Sequence, residues 1–197
     1  MHFFDTTFEP GWQYSPWRII GVSWIVWVVS WIAASLWSRH TAARPSIADE
    51  MLYRIVTAVG AFMVFGFFDR SRPAWEVTPA LAWAMVGLTI AGFAFCWWAR
   101  LTLGTLWSGN VTRKDDHRIV YTGPYALVRH PIYTVLILAA FGTAIARGHI
   151  EGLIGVVVLG FGCWIKARLE ERFLSEELGA DYAAYRARVK MLVPFLV

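Results

Sequence analysis

Charged residues are scarce in this 197-residue chain. They make up 16% of the sequence, whereas apolar residues make up 57% and Trp alone occurs 12 times. A soluble domain typically carries about 25% charged residues, so the composition excludes an ordinary water-soluble fold. The apolar residues lie in long runs rather than on one helical face, and the ten-residue alternation of a membrane β-barrel is missing. The sequence therefore predicts an all-α integral membrane protein.

Cysteine and the common soluble-enzyme motifs are also rare or missing. Cys96 and Cys163 each lie inside an apolar run, at a spacing typical of neither a metal site nor a disulfide framework. Buried small apolar side chains are the simplest interpretation of both. The chain has no Walker loop, zinc-protease motif, GxGxxG or Ser-His-Asp arrangement, which argues against a soluble-type nucleotide fold. No metal site and no nucleic-acid partner are predicted.

Five apolar runs predict about five transmembrane helices in one membrane domain. We expect them at about 17–37, 52–68, 79–99, 131–146 and 150–165. Residues 1–99 hold the first three, and residues 100–197 hold the last two. The turn at Gly148 is so short that the fourth and fifth helices must form an antiparallel hairpin. A charged amphipathic helix follows the fifth span and is expected to break at Gly179.

The positive charges are distributed unevenly between the two sides that five spans create. All but four of the 18 Lys and Arg residues fall on the side of the long polar connection, 101–130, and the C-terminal tail. The exceptions are Arg18, Arg70, Arg72 and Arg147. By the positive-inside rule, the long connection and the C-terminus face the cytoplasm of an inner or cytoplasmic-type membrane.

The richest polar stretch lies directly before the fourth span. It has the sequence HRIVYTGPYALVRHPIY over residues 117–133. Gly123 and Pro124 predict a turn, and Pro131 suits the first position of the following helix. Arg129 and His130 are thereby placed at the mouth of an apolar helix. These residues form either a site or an ordinary interfacial loop, and the composition alone does not decide between them.

A second charged group directly follows the fifth span. Lys166 and Glu170 are four residues apart on one helical face, and Arg168 and Glu171 are three apart on another. They form either weak ion pairs on a solvated helix or a functional group near membrane depth. Glu171 points about 100° away from Glu170 on the helix, so we expect it to be the more dispensable carboxylate.

Several motifs in fixed order resemble the isoprenylcysteine carboxyl methyltransferase family, whose C-terminal pattern is shared by phospholipid methyltransferases. The resemblance covers about residue 100 to the C-terminus. The motifs are RxxxGxxW from Arg100, HxxVxxGPY from His117, RHPxY from Arg129, EExxL from Glu170 and GxxYxxY from Gly179.

The resemblance implies a membrane methyltransferase that uses S-adenosylmethionine. The cofactor would lie in a cytoplasmic pocket between the loop before helix 4 and the C-terminal amphipathic helix. The pocket residues implied are Asn110, His117, Arg118, Ile119, Val120, Tyr125, Arg129, His130, Pro131, Tyr133 and Glu170. Glu170 would contact the cofactor, and a basic residue, either Lys166 or Arg168, would face the acceptor. Because the enzyme lies in the bilayer, the acceptor would be lipophilic: an isoprenoid or prenylcysteine-like carboxylate, or a lipid amine.

Two other functions remain open at this point. Membrane sterol or enone reductases that use NADPH have a similar His-Pro-x-Tyr loop, although they usually carry Asn before the tyrosine and an acidic residue soon after it. Here Ile132 and Thr134-Val135 occupy those places. A non-enzymatic membrane protein built on the same helices is the third possibility. The sequence does not indicate the oligomeric state.

Overall fold

The described part of the chain contains five α-helices. A computed structural model describes residues 15–36, 41–43, 47–66, 72–107, 113–114 and 119–193. The helices are α1 (Pro16–Ser35), α2 (Ile47–Val64), α3 (Pro79–Leu103), α4 (Pro131–Arg147) and α5 (Ile150–Arg188). They correspond one for one to the five predicted apolar runs, and the predicted all-α membrane fold is confirmed.

Three of the described helices are long and apolar enough to cross a bilayer. They are α1, α5 and α3 together with the short 3-10 turn that extends it to Leu106. The helix α4 is apolar but has 17 residues. The helix α2 has 18 residues and carries charged groups in its first two turns. Length and composition therefore set these two helices apart from the other three.

The helix α2 begins earlier than the sequence predicted. It starts at Ile47 rather than near residue 52 and ends at Val64 rather than near residue 68. Hydropathy marks only the apolar part of a helix, whereas hydrogen bonding continues into polar turns. Glu50 and Arg54 pair across one turn at 2.5 Å, which supports the polar start of α2. Two short strands that were not predicted, β1 (Thr41–Ala43) and β2 (Arg113–Lys114), pair antiparallel, although α2 and α3 lie between them in the sequence.

The predicted helix boundaries at proline and glycine are confirmed. Pro131 occupies the first turn of α4, where its missing N–H leaves no hydrogen bond unmade. Gly148 ends α4 with a left-handed φ of 78°, and α5 begins two residues later, so the two helices form the expected hairpin. Gly179 kinks α5 with φ 50° and ψ −120°, where a break was predicted.

Glycines let α2 and α5 pack with their backbones in close contact. A Cβ atom added to Gly155 would lie 2.7 Å from Met63 Cβ, and one added to Gly60 would overlap the backbone of Leu159. Small residues of this kind let helices approach each other closely in membranes. This seam brings the start of α2 against the polar part of α5.

The core between α1, α3 and α4 is built around Trp24. Its indole packs edge-on against Phe65 and Phe93, with ring centroids 5.3 and 4.8 Å away. Its Nε1 donates to Thr143 Oγ1 at 2.9 Å, so the polar edge of this buried ring is satisfied. The core holds α4 in place and leaves its first turn beside α5, where the polar residues meet.

Candidate active site

The loop before α4 is fixed by a tight turn and by the C-terminal half of α5. Residues Gly123–Ala126 form a 3-10 turn in which Pro124 and Tyr125 are buried. The Tyr185 hydroxyl on α5 donates to the Tyr125 carbonyl at 2.6 Å. Burial raises the pKa of Tyr125 well above its ordinary value, so its phenol keeps its proton.

The chain after α5 returns to the same loop and pairs with its backbone. The Arg129 N–H donates to the Lys190 carbonyl at 2.8 Å, and the His130 N–H donates to the Met191 carbonyl at 3.0 Å. One residue pair here forms an isolated parallel bridge. Thr134 Oγ1 donates to the Leu192 carbonyl at 2.6 Å and extends the contact into α4. The C-terminal segment thus fixes the position of Arg129 and His130.

Glu170 lies against the first turn of α4. The Tyr133 hydroxyl donates to Glu170 Oε1 at 2.6 Å, and His130 Nδ1 lies 3.4 Å from Glu170 Oε2. The rings of His130 and Tyr133 are stacked with centroids 5.5 Å apart. The structure therefore brings together three residues that the sequence analysis had proposed from two separate motifs.

Glu171 is buried as well, with an exposed fraction of 3%. Arg129 Nε donates to Glu171 Oε1 at 2.6 Å, and Arg186 Nε lies 3.6 Å from Oε2. Arg129 also donates to the Val189 carbonyl and to the Arg186 carbonyl, the latter at 3.3 Å. Of the two alternatives for this charged group, weak ion pairs on a solvated helix do not describe Glu171, because Arg129 of the loop and Arg186 of α5 face it and it is buried. That Glu171 is the more dispensable carboxylate in the reaction stays a prediction.

His130 lies between the two carboxylates. Its Nε2 is 3.3 Å from Glu171 Oε1, outside hydrogen-bonding geometry, and has no hydrogen-bond partner in the described part of the chain. Burial acts to lower the pKa of His130, but Glu170 and Glu171 outweigh it and hold that pKa above its ordinary value. The two carboxylates therefore stabilise the imidazolium form of His130 relative to the neutral ring.

The two candidate cations on α5 have different surroundings. Lys166 Nζ lies 5.4 Å from the ring centroid of Tyr133 and 5.5 Å from that of Tyr53 on α2. Arg168 is exposed, and its guanidinium lies 5.9 Å from the Trp164 ring. The structure thus brings Lys166 to the cluster and leaves Arg168 on another face of the helix.

Comparison with known proteins now bears on this cluster. Residues 85–176 match the model of the isoprenylcysteine carboxyl methyltransferase (ICMT) family, and this stretch contains His130, Tyr133, Glu170 and Glu171. Protein-S-isoprenylcysteine O-methyltransferase of Saccharomyces cerevisiae is 31% identical over 88 residues, which is 43% of this chain and 36% of that protein. The stretch belongs to the ICMT family.

Two further relatives extend the similarity beyond that stretch. Methanethiol S-methyltransferase 1 of Bradyrhizobium diazoefficiens is 29% identical over 132 residues, covering 61% of this chain and 45% of that protein. The cobalt-zinc-cadmium resistance protein CzcN of Cupriavidus metallidurans is 28% identical over 174 residues, covering 83% of this chain and 74% of that protein. This chain therefore aligns with less than half of the length of the S. cerevisiae and B. diazoefficiens methyltransferases. Family and relatives together support a membrane methyltransferase.

The CzcN similarity does not coincide with a metal-ligand cluster in the structure. Within the described ranges, no three His, Cys, Asp or Glu side chains lie close enough together to hold a metal ion. Cys96 and Cys163 are buried in separate places as free thiols.

The first ICMT-like motif has a packing role. Arg100 is fully buried and donates to the carbonyls of Gly104 at 2.5 Å and Ala34 at 2.9 Å. Its guanidinium lies over the Trp107 ring at 4.3 Å. These contacts join the end of α3 to the end of α1.

The remaining predicted pocket residues form two groups: some lie outside the described residues, and the others lie in the loop or at the start of α4. Asn110, His117 and Arg118 lie outside the described residues. Ile119 and Val120 are half-buried at the start of the described loop, and Pro131 is buried at the start of α4.

Sequence reasoning missed Tyr53, whose side chain is only 5% exposed. It lies on α2, outside the ICMT-like stretch, and reaches the cluster through the glycine seam with α5. The one available signal was the occurrence of a tyrosine beside Arg54 at the polar start of an apolar run.

Proposed function

We propose that this chain is an S-adenosylmethionine-dependent methyltransferase that acts on a lipophilic acceptor at the cytoplasmic face of the membrane. The observation that carries the proposal is the contact of Tyr133 and His130 with Glu170, at 2.6 and 3.4 Å. All three residues lie in the ICMT-family stretch. The cluster forms where α4 begins and α5 passes from apolar to charged residues.

The residues of the cluster fit this cofactor in type. S-adenosylmethionine supplies a methyl group on a positively charged sulfur. The Glu170 carboxylate can accept hydrogen bonds from amino and hydroxyl groups, and the faces of His130 and Tyr133 can pack against the cofactor. The buried Nε2 of His130 has no hydrogen-bond partner among the described residues, which is the kind of group that a ligand satisfies.

The protein's part in such a reaction is mainly positioning and exclusion of water. Orienting two reactants can lower a barrier by up to ~7–11 kcal/mol. Tyr133 holds Glu170 in one orientation, and the pairing of Arg129 and His130 with the C-terminal segment fixes the loop beside it. Lys166, whose Nζ lies 5.4 Å from the Tyr133 ring centroid, is the cation that we expect to face the acceptor. A lipophilic acceptor would reach this position sideways, from the bilayer between the helices.

The proposed orientation rests on the distribution of cations. All but four of the 18 Lys and Arg residues fall on the side of the cluster and the C-terminus, which favours a cytoplasmic location for both. Reporter fusions at residue 197 and in the turn at residue 70 test this: we expect them on opposite sides, with residue 197 inside. Finding both on one side would contradict the proposed orientation.

The function is tested by ligand binding to the purified protein. We expect S-adenosylhomocysteine to change the fluorescence of the abundant Trp residues and NADPH to leave it unchanged. Tyr133→Phe removes the hydroxyl that holds Glu170 and should weaken binding roughly tenfold. Tyr121→Phe is the matched control, because Tyr121 is 63% exposed. Binding of NADPH instead would favour a reductase. If neither S-adenosylhomocysteine nor NADPH binds, the result would favour a non-catalytic membrane protein.

Transfer itself is tested with lipid extracts and a radiolabelled methyl donor. We expect label in an extractable lipophilic product with the wild-type protein and much less with Tyr133→Phe. Label that appears only in water-soluble products would contradict the lipophilic acceptor.

A further inference from the structure

A groove with cationic walls lies where the end of α5 meets the loop before α4 and the C-terminal segment. It has a volume of about 470 Å³ and opens to the surface. Its lining residues are Arg129, Ala183, Arg186, Ala187, Lys190 and Met191. Glu170 and Tyr133 do not line it, so the groove adjoins the candidate active site without being part of it.

The groove has more positive charge than the carboxylate beside it can balance. Three of its lining residues are cations. Glu171 faces two of them, at 2.6 Å from Arg129 Nε and 3.6 Å from Arg186 Nε. The third, Lys190, is exposed and forms no ion pair within the part of the chain that the structure describes. An anion in the groove would therefore be attracted by charge that Glu171 leaves unbalanced.

The α5 side of the groove leaves room for a bulky anion. Ala183 and Ala187 lie four residues apart, on one face of the helix, and each has a single methyl group as its side chain. Asp181 lies two residues before Ala183, about 160° around the helix axis, so its carboxylate is on another side of α5. This face of α5 thus offers space beside the cations and no acidic side chain of its own.

Exposed apolar side chains flank the groove on both of the segments that pair there. Leu127 comes two residues before Arg129 and is 52% exposed, and Val193 comes two residues after Met191 and is 43% exposed. The groove also lies at the end of a membrane helix, because α4 begins at Pro131. Basic pockets at this depth bind the headgroups of anionic lipids. A free anion would use the cations but not the apolar side chains.

We propose that the groove binds an anionic phospholipid, with Arg186 and Lys190 facing the headgroup phosphate and Leu127 and Val193 in contact with the acyl chains. The lipid would contact both α5 and the C-terminal segment, whose backbone pairs with the loop before α4. Arg129 keeps its ion pair with Glu171 and adds to the positive potential of the groove. The inference concerns a surface outside the proposed reaction and does not depend on methyl transfer.

Binding of radiolabelled phosphatidylglycerol to the immobilised full chain in a neutral detergent tests the site. Phosphatidylglycerol has a net negative headgroup, whereas in phosphatidylcholine a choline cation balances the same phosphate. We expect unlabelled phosphatidylglycerol to compete for the label roughly tenfold better than phosphatidylcholine does. Equal competition by the two lipids would overturn the proposal, because the site would then not recognise charge.

Lys190→Met removes one cation of the groove and should weaken phosphatidylglycerol binding roughly fivefold, since each cation near a lipid surface contributes to the attraction. Lys190→Arg keeps the charge and should bind within about twofold of wild type. Arg188→Met is the matched control, because Arg188 is exposed on the same part of α5 and does not line the groove. An equal loss in Lys190→Met and Arg188→Met would mean that only net charge matters, and would overturn the site.

A double variant extends this test to the second cation. Arg186→Met combined with Lys190→Met should weaken binding further, to roughly twentyfold in total. Arg186 also approaches Glu171, so the double variant is first checked for folding by size-exclusion chromatography. If it does not fold, Lys190→Met and its control decide the question alone.

Inorganic phosphate distinguishes a lipid from a free anion at the same cations. We expect millimolar phosphate to displace little of the bound phosphatidylglycerol, because the acyl chains contribute to lipid binding and phosphate has none. Complete displacement at that concentration would show that the groove takes a free anion, and the lipid assignment would fail.

Discussion

Glu170 and Glu171 are neighbours on α5, yet they belong to different parts of the molecule. Glu171 faces the loop before α4 through Arg129, and it faces the part of α5 beyond the Gly179 kink through Arg186. Glu170 faces the first turn of α4, where it accepts a hydrogen bond from the Tyr133 hydroxyl. The comparison teaches that one carboxylate joins three chain segments, whereas the other lies beside the space proposed for ligands. A rotation of about 100° on one helix separates the carboxylate for which we expect a structural role from the one for which we propose a chemical role.

His130 connects the two sides. Its Nδ1 approaches Glu170, and its Nε2 approaches Glu171. Because the C-terminal segment holds the His130 backbone, any movement of that segment would also move the imidazole beside Glu170. The loop and C-terminal segment next to Glu171 thus position His130 beside Glu170. Substituting one carboxylate at a time can separate the structural role from the proposed chemical role.

The largest effect is expected from Glu171→Gln, measured as the free energy of unfolding. The change leaves Arg129, also buried, without its counter-charge, and breaking a buried ion pair typically costs ~3–5 kcal/mol. Thermal and denaturant melts followed by Trp fluorescence in one detergent measure it. Glu176→Gln is the matched control, since Glu176 forms an exposed pair with Arg172 at 3.4 Å. A loss no larger than that of the control would refute a structural role for Glu171.

Glu170→Gln should have the second largest effect, and on activity rather than on folding. The amide keeps the shape of the side chain and removes the charge that would bind the cofactor. If the proposed function is right, methyl transfer should fall roughly tenfold or more, which corresponds to ~1.4 kcal/mol. The stability loss should be smaller than for Glu171→Gln, because Tyr133 can still donate to the amide oxygen. Turnover within about twofold of wild type would leave Glu170 without a role in the reaction.

The contrast between the two carboxylates also shows how far the sequence could predict the site. Motif order found His130, Tyr133 and Glu170, and helix patterning placed the hairpin at Gly148. Neither could find the role of Glu171, because its partner Arg129 is 42 positions away in the sequence and reaches it only after folding.

Tyr53 was out of reach for a related reason. Its contact with Lys166 depends on how closely α2 and α5 approach each other, which Gly60 and Gly155 determine. The spacing of apolar residues predicts which helices exist, but in a membrane protein it does not predict which pairs of helices touch. The pairing of the C-terminal segment with the loop is likewise a backbone contact that side-chain patterns do not reveal.

The third effect is a pH dependence that belongs to His130. The pKa of His130 in the folded protein is raised above the ordinary value near 6.5, so the folded protein binds this proton more tightly than the unfolded chain does. The stability that this adds is fully present below about pH 6.5 and is lost as the pH rises through the folded pKa. The difference in unfolding free energy between wild type and His130→Gln should therefore shrink from about pH 6 to about pH 9. A difference that grows over this range would mean that the imidazole is neutral in the folded protein.

The smallest effect is expected from Arg168→Met, and its value lies in the comparison with Lys166→Met. Both residues are cations in the same turn of α5, so the sequence alone leaves the choice of substrate-facing cation open. Of these two cations, Lys166 lies near the rings of Tyr133 and Tyr53, while Arg168 is exposed beside Trp164. An exposed cation–π contact contributes only ~0.5–1 kcal/mol, and Met keeps much of the packing on the indole. We therefore expect Arg168→Met to retain activity within about twofold, whereas Lys166→Met should raise the KM for the lipophilic acceptor roughly tenfold and leave the affinity for S-adenosylhomocysteine unchanged. If Arg168→Met raised the KM and Lys166→Met did not, the acceptor would have to approach from the Trp164 face of α5, and the site would not lie between α2 and α4.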